Sequence, residues 1–233
     1  MVAHPRPHTT FPRLDHRLPS RRAPGYEARR ALIRAQAAAL FAAQGYQRAS
    51  LSGLAHSLGV TTKGVTNYYE GKPALLFAVL EAHLRALLGA VEAAADETLP
   101  PFARLEALAR GHLAFITGPG AAGHLLLREA ARFLPEPRVL DLRTRERWLV
   151  ALFRDALAAT LMAREDDLAG DATGDDADKA ARGAGAPLGA LTLSLLAMLN
   201  EAPQWHQPEG ALSLDAYASL AVRATLAAGG AQQ

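Results

Sequence analysis

The chain has 233 residues, of which 50% are hydrophobic and none is cysteine. This supplies enough apolar material for a folded core in one or two domains, and it excludes disulfides and thiolate metal sites. No run of uncharged apolar residues reaches the roughly 18 that a membrane-spanning helix needs, and the N-terminus lacks the apolar core of a signal peptide. We therefore expect a globular protein that stays in the cytoplasm and has no membrane partner.

The net charge of +2 hides two regions of opposite sign. Residues 1–72 hold 11 Lys and Arg against three acids, a net of +8, whereas residues 73–233 hold 14 against 20, a net of −6. A concentrated positive region releases counterions from a phosphate backbone, so the first region favours nucleic-acid binding. Residues 1–25 are rich in His, Arg and Pro, which predicts a flexible basic arm that could also be merely solvated.

Three short helices are predicted between Tyr26 and Gly71. The first ends at Gly45 and carries apolar residues at helical spacing, namely Leu32, Ile33, Ala37, Leu40 and Phe41. The second follows Ser50 and has one apolar stripe, namely Leu51, Leu54, Ala55 and Leu58. The third follows Thr61. Two short helices joined by a Gly-containing turn form the geometry that places the second of them in a DNA major groove.

A longer pattern extends over about fifty residues, from Leu32 to Leu80. Its recurring features, in order, are Leu40-Phe41, Gly45-Tyr46, Leu54-Ala55, Gly59-Val60, Tyr68-Tyr69, Lys72 and Leu75-Leu76. This segment resembles the N-terminal domain of TetR-type transcriptional regulators. The resemblance implies an all-α, TetR-like fold of about nine helices, with a three-helix helix-turn-helix DNA-binding domain followed by a helical ligand-binding and dimerisation domain.

The resemblance also implies that the third helix reads double-stranded DNA. The candidate DNA-binding residues are Arg48, Ser50, Thr61, Thr62, Lys63, Thr66, Asn67, Tyr68 and Lys72. Ser50 and Thr61 are equally well explained as helix caps, and Lys72 is open between a phosphate contact and a structural role. Tyr46, Val65 and Tyr69 are expected in the core.

The segment departs from the family pattern at several positions, so the operator sequence cannot be carried over. Gly53 replaces the usual acid that would complete a capping box with Ser50, which should anchor the second helix less well. Thr66 stands where Tyr is frequent, and Gly64 lies inside the reading helix.

The predicted domains are 1–25, the arm; 26–72, the DNA-binding domain; and 73–233, the ligand-binding and dimerisation domain. A linking helix is predicted over 73–95, with an inward face of Leu75, Leu76, Val79, Leu80, Leu84, Leu87, Leu88 and Val91. Further helices are predicted near 101–117, 121–134 and 138–164. The acidic segment 165–187 is predicted as a flexible loop.

The final helices, about 187–201 and 212–228, are apolar on more than one face. Such helices must be buried on all sides, and a second copy of the chain would bury them in a four-helix arrangement over 187–228. We therefore expect a homodimer. Its twofold symmetry predicts two reading helices about 34–36 Å apart, or a multiple of that spacing, on a roughly palindromic site.

The resemblance further implies a small-molecule effector, apolar or amphipathic, whose binding shifts helix 73–95 and releases a repressor from DNA. Candidate ligand-binding residues are His112, Phe115, His124, Arg128, Phe133, Trp148, Phe153 and Trp205. Each aromatic residue among them could equally be ordinary core, and Arg128 with Glu129 could be a solvent-facing pair.

No enzymatic activity, cofactor or metal site is expected. The sequence has no Ser/His/acid signature, no phosphate-binding loop and no HExxH motif, and the Asp residues of the acidic segment lack the spacing of an EF-hand. The alternative is a DNA-binding architectural protein without an effector. It would differ in lacking a compact apolar cavity in 101–205 and in showing little sequence preference at physiological salt.

Overall fold

The computed structural model describes residues 25–171, 186–207 and 209–230. These residues form nine α-helices, one short 3-10 turn at Ala131–Phe133, and no strand. The helices are α1 Tyr26–Gln44, α2 Leu51–Ser57, α3 Thr62–Thr66, α4 Lys72–Ala94, α5 Pro101–Thr117, α6 Ala121–Ala130, α7 Glu136–Asp171, α8 Leu188–Trp205 and α9 Leu214–Gly230. The all-α fold expected from the sequence is confirmed for these residues.

Helices α1 to α3 form a small head around a shared apolar core. Phe41 of α1, Leu54 of α2 and Val65 of α3 are each at most 1% exposed. Gly45 ends α1 with a φ of 78°, a left-handed value that favours glycine, as the sequence predicted. Leu32, one of the apolar residues at helical spacing, is 51% exposed, because the buried face of α1 is centred on Ile33, Ala37 and Phe41 and Leu32 lies beside it.

Helix α4 connects the head to the rest of the chain. It begins after Gly71, which has a φ of 93°, and Pro73 lies in its first turn. All eight residues predicted to face inward are buried. The first half of α4, including Leu75 and Leu80, packs in one cluster with α1 and α6, whereas Leu87 and Val91 pack in a second cluster with α5, α8 and α9.

By length and mean hydropathy, 1.7 over its most apolar window, α4 could cross a membrane, and 61% of that window is buried inside the protein. Helix α4 is instead the central helix of the protein core, because most of this window is buried inside the protein. Its Glu81 also forms an ion pair with Arg145 of α7, and Glu81 Oε1 lies 2.7 Å from Arg145 Nη2.

Helices α5 to α9 form the body. Its core contains Leu105, Leu108, Leu113, Phe153, Leu195 and Leu199, all fully buried. Helix α5 packs against α4, α7 and α9, and α8 packs against α5, α7 and α9. The body therefore surrounds the second half of α4.

Several predicted boundaries differ from the structure, and the helix predicted over about 187–201, for example, continues to Trp205 as α8. The helix predicted over 121–134 ends at Ala130 and continues as the 3-10 turn. Helix α7 extends to Asp171, so the predicted acidic loop begins later than 165; the stretch after Arg164 contains no breaker before Gly170, and its Glu, Asp, Leu and Ala residues are compatible with helix. The remainder of that loop, 172–185, and the predicted arm, 1–24, lie outside the described residues.

Candidate nucleic-acid interface and effector site

The third helix presents its polar side chains outward. Thr62, Lys63 and Asn67 are exposed, while Val65 is fully buried beneath them. The described head, residues 25–72, carries six Lys and Arg against two acids. A short helix with exposed donors and acceptors on a positive domain has the chemistry to contact phosphates and base edges.

The hydroxyls of Ser50 and Thr61 cap the two helices of the motif. Ser50 Oγ accepts from the Gly53 amide at 3.0 Å, and Thr61 Oγ1 accepts from the Gly64 amide at 3.1 Å. The cap explanation for both residues thus has direct geometric support. Thr66, on the same helix, donates from Oγ1 to the Lys63 carbonyl at 3.3 Å.

Two cations predicted to contact DNA donate hydrogen bonds to backbone carbonyls at the end of α1 and in the loop that follows it. Lys72 Nζ donates to the Gln47 carbonyl at 3.0 Å and lies 4.4 Å from the centre of the Tyr46 ring. Burial of the Lys72 ammonium lowers its pKa from the ordinary value. Arg48 Nε donates to the Gln44 carbonyl at 2.9 Å. Lys72 therefore joins the start of α4 to the α1–α2 loop.

The adjacent tyrosines have different environments. Tyr69 is 4% exposed and donates from its hydroxyl to the Arg30 carbonyl at 2.9 Å, so its predicted core position is confirmed. Burial raises the pKa of Tyr69. Tyr68 is half-buried, and its ring centre lies 4.6 Å from that of Tyr26.

In the body, three of the predicted effector residues converge on Asn200 of α8. His112 Nε2 lies 2.9 Å from Asn200 Oδ1, and His124 Nε2 lies 3.0 Å from the Asn200 carbonyl oxygen. Arg128 donates from Nη1 to that same carbonyl at 3.1 Å and to Glu201 at 2.7 Å. Arg128 is thus exposed and paired. These contacts link α5, α6 and α8.

A fourth residue of this group, His83 of α4, was missed by the sequence analysis. Its ring centre lies 6.1 Å from that of His124 and 5.6 Å from that of Phe115. The available signal was its position on the apolar face of α4, between Leu80 and Leu84, where a histidine is out of pattern. We call His83, His112, His124 and Asn200 the histidine cluster.

Two ring nitrogens of this cluster are buried without a hydrogen-bond partner, Nε2 of His83 and Nδ1 of His112. Burial lowers the pKa of His83 to about 4, and the neighbouring His124 and His112 add to the effect. Burial also lowers the pKa of His112 to about 4, against the opposing influence of the Asn200 hydrogen bond. Both imidazoles are therefore neutral at neutral pH.

The remaining predicted effector residues divide into two groups. Phe115 borders His83, and Phe153, fully buried, meets the His112 ring edge-on at 5.8 Å, so both belong to the walls of the cluster. The structure does not bring the other three to it. Phe133 stacks on Tyr46 at 5.5 Å in the cluster of the head, Trp205 is 41% exposed and lies 4.5 Å from the Tyr217 ring, and Trp148 is half-buried on α7.

Two hollows lie elsewhere. One of about 230 Å³ separates α1 from α3 in the head, beside Arg29, Leu58 and Tyr68. A larger cleft of about 690 Å³ lies at the end of α4 opposite the head, lined by Glu92, Arg104, Leu152 and Asp155 among others. Among the described residues, no group of three or more His, Cys, Asp or Glu side chains is arranged to hold a metal ion.

The described chain thus has two parts, a helix-turn-helix head and an all-helical body, joined by the long helix α4. Residues 33–79 match the family model described as bacterial regulatory proteins, tetR family. Over this segment the chain is similar to TetR-family regulators.

Solved structures share this two-part fold. A TetR-family regulator from Bordetella parapertussis is 26% identical, with 86% of this chain and 95% of that chain covered and a TM-score of 0.66. A tetR-family protein from Rhodococcus is 20% identical, with coverage of 88% and 98% and a TM-score of 0.69. AibR, solved with isovaleryl coenzyme A and operator DNA, is 19% identical, with coverage of 83% and 96% and a TM-score of 0.66. No curated protein matches the chain's sequence.

Proposed function

We propose that the protein is a ligand-responsive repressor that binds a palindromic operator as a homodimer and is released by a small apolar or amphipathic molecule. One observation carries the proposal: α4 is shared between two cores, with Leu75 and Leu80 in the head cluster and Leu87 and Val91 in the body cluster. A displacement of α4 in the body is therefore transmitted to the position of the reading helix.

The homodimer is supported by apolar surface on α8 and α9. Leu193 is 58% exposed and Leu220 is 54% exposed, and the smaller side chains of Ala190, Ala197 and Ala224 are exposed on the same two helices. Leucines surrounded by alanines allow close approach of helices from a second copy. Pairing of α8 and α9 with their symmetry mates would cover this surface in a four-helix bundle.

The DNA contacts are proposed for the nine candidate residues of the head, with Thr62, Lys63 and Asn67 at the base edges or adjacent phosphates because they are exposed on α3. AibR, which shares the fold, was solved with operator DNA and an acyl coenzyme A. By analogy we propose that this chain also binds operator DNA and a small-molecule effector, and that it acts in the cytoplasm.

Operator selection from a random duplex library at physiological salt tests the proposal. We expect the full chain to enrich one palindromic sequence and to bind it at least a thousandfold more tightly than unrelated DNA, as specific regulators do. Uniform binding of all duplexes, with no palindrome enriched, would instead support an architectural protein without an effector.

A further inference from the structure

The histidine cluster lies where the body meets α4. His83 comes from α4, His112 from α5, His124 from α6 and Asn200 from α8, so four helices contribute one polar side chain each. The surroundings are apolar, with Phe115 and Phe153 against the rings. His83 is 6% exposed and His112 is fully buried.

The hydrogen-bond partners define which nitrogens carry protons. The Asn200 carbonyl oxygen only accepts, so His124 Nε2 is the donor in that contact. With Asn200 Oδ1 as acceptor, His112 Nε2 also donates. Because a neutral imidazole carries only one N–H, His112 Nδ1 has no proton and is an acceptor. This nitrogen and His83 Nε2 are the two buried atoms of the cluster that have no hydrogen-bond partner.

No hydrogen bond of Nε2 explains why position 83 is polar. A phenylalanine ring at position 83 would fill a similar volume without burying an unpaired nitrogen, which is destabilising. Histidine here costs stability and makes no hydrogen bond through Nε2. A bound ligand that forms the missing hydrogen bond would explain why an unpaired polar group is buried here.

We propose that the histidine cluster recognises the effector and that the effector is a neutral, largely apolar molecule with a hydroxyl group, an alcohol or a phenol. This inference rests on the proposed effector response. A hydroxyl both donates and accepts, so it can donate to His112 Nδ1, and it can pair with His83 Nε2 in either protonation state of that nitrogen.

An anionic effector fits the cluster less well. The buried imidazoles are neutral at neutral pH, and His112 Nδ1 offers a lone pair that repels a carboxylate. The cation in contact with the cluster, Arg128, is already paired with Glu201 at 2.7 Å. A carboxylate would therefore find no free positive charge among these groups.

The glycines at the start of α6 lie on the route by which we expect a ligand to enter. Gly120 and Gly123 leave this turn without side chains, and the rings of Phe115 and His83 occupy that space: an added Cβ would lie 2.3 Å from Phe115 Cε1 and 2.6 Å from His83 Nδ1. Phe115 is half-buried, and displacement of its ring toward solvent would open a route to His83. A ligand held by His83 acts on α4 directly.

Calorimetric titration of the full chain with 4-ethylphenol and with ethylbenzene tests the inference, since the two probes differ only in the hydroxyl. We expect the phenol to bind about tenfold more tightly, the effect of one well-placed hydrogen bond. His83→Phe should reduce this preference below about threefold, whereas His206→Phe, a change at a histidine outside the cluster, should preserve it. Equal binding of both probes, absence of binding by either, or tighter binding of 4-ethylbenzoate would overturn the inference.

Imidazole nitrogen NMR of the unaltered protein provides a readout that does not depend on a folded variant. Saturation with 4-ethylphenol should shift the resonances of His83 Nε2 and His112 Nδ1 and leave those of His206 in place; the reverse pattern contradicts the assignment.

Operator affinity measured in the presence of the same probe separates effector recognition by the histidine cluster from the proposed release from DNA. Tight binding of the phenol with unchanged operator affinity would refute the proposed release from DNA and leave the recognition intact.

Discussion

Lys63 is the exposed cation of the reading helix, and its side chain makes no ion pair among the described residues. We expect Lys63→Ala to weaken operator binding by about 1–3 kcal/mol, because it removes a charge-assisted contact to DNA. If the contact is to a phosphate, the slope of log affinity against log salt should also fall by about one.

Fluorescence anisotropy across a salt series measures both quantities. Arg154→Ala is the matched control, since Arg154 is an exposed cation of α7 and pairs only with the neighbouring Asp155 among the described residues. The control should leave affinity and slope unchanged. Equal behaviour of the two variants would place Lys63 outside the DNA contact.

The lowered pKa values of His83 and His112 make stability depend on pH. Both fall from an ordinary 6.5 to about 4 in the folded protein, so between these values the unfolded chain binds more protons than the folded chain. The free energy of unfolding should therefore be fully retained above about pH 6.5 and decrease as the pH falls toward about 4. Urea unfolding across this range measures the effect.

His83→Phe removes one of these two titrating groups and should flatten the decrease, while raising stability at neutral pH because an unpaired buried nitrogen is removed. His56→Phe, at an exposed position of α2, should leave the pH dependence as it was. An identical pH dependence for His83→Phe and the unaltered chain would show that His83 is not the titrating group.

At the scale of single residues, sequence reasoning succeeded where local chemistry decides the outcome. Ser50 and Thr61 cap helices because a hydroxyl before an apolar run accepts from the third amide after it. His83 was missed and Asn200 was not singled out. Their significance comes from neighbours 32 to 88 positions away along the chain, and no local pattern encodes that proximity.

Helix α2 is short and has an incomplete cap. Gly53 occupies the position where a Glu or Gln side chain would return the hydrogen bond of Ser50, and the Gly53 amide already donates to Ser50 Oγ. A Cβ at Gly53 would lie 3.2 Å from that same oxygen, a contact that a small shift of the Ser50 side chain relieves. We expect Gly53→Gln to stabilise the head by about 1 kcal/mol, mostly from replacing glycine inside a helix.

Thermal unfolding compares this variant with Gly53→Glu, which should stabilise the fold similarly and weaken DNA binding, because its carboxylate adds a negative charge to the binding head. A loss of stability in both variants would show that the close approach at Ser50 outweighs the helical preference.

Among the helices, apolar periodicity predicted the buried face of α4 correctly, whereas composition did not predict the end of α7. The eight predicted inward residues of α4 are all buried, because a run of apolar residues at helical spacing leaves a helix with one way to face a core. The end of α7 was predicted too early, because the acidic composition after Arg164 was taken to end the helix. Glu, Asp, Leu and Ala residues are all compatible with a helix, and α7 continues to Asp171.

For the whole molecule, the central prediction concerns the exposed leucines of α8 and α9. We expect Leu193→Arg and Leu220→Arg to convert the proposed dimer to a monomer, because each would bury an unpaired charge in the proposed interface. Sedimentation at micromolar concentration measures the state, and operator affinity should fall sharply since each head then binds its half-site alone.

Leu140→Arg is the control, at a leucine of α7 that is 55% exposed and lies outside the proposed interface. It should leave both assembly and DNA binding unchanged, and circular dichroism of all three variants checks their helix content. Sedimentation of the unaltered chain as a monomer would rule out the dimer directly.

The sequence by itself determined the head, the linking helix and the all-α class, because capping residues, left-handed glycines and apolar periodicity act within a few residues of one another along the chain. It also identified His112, His124 and Arg128 without their relation to one another. Only the tertiary structure brought them together at Asn200 and added His83, because contacts among α4, α5, α6 and α8 depend on how the helices pack, which is determined by the core as a whole.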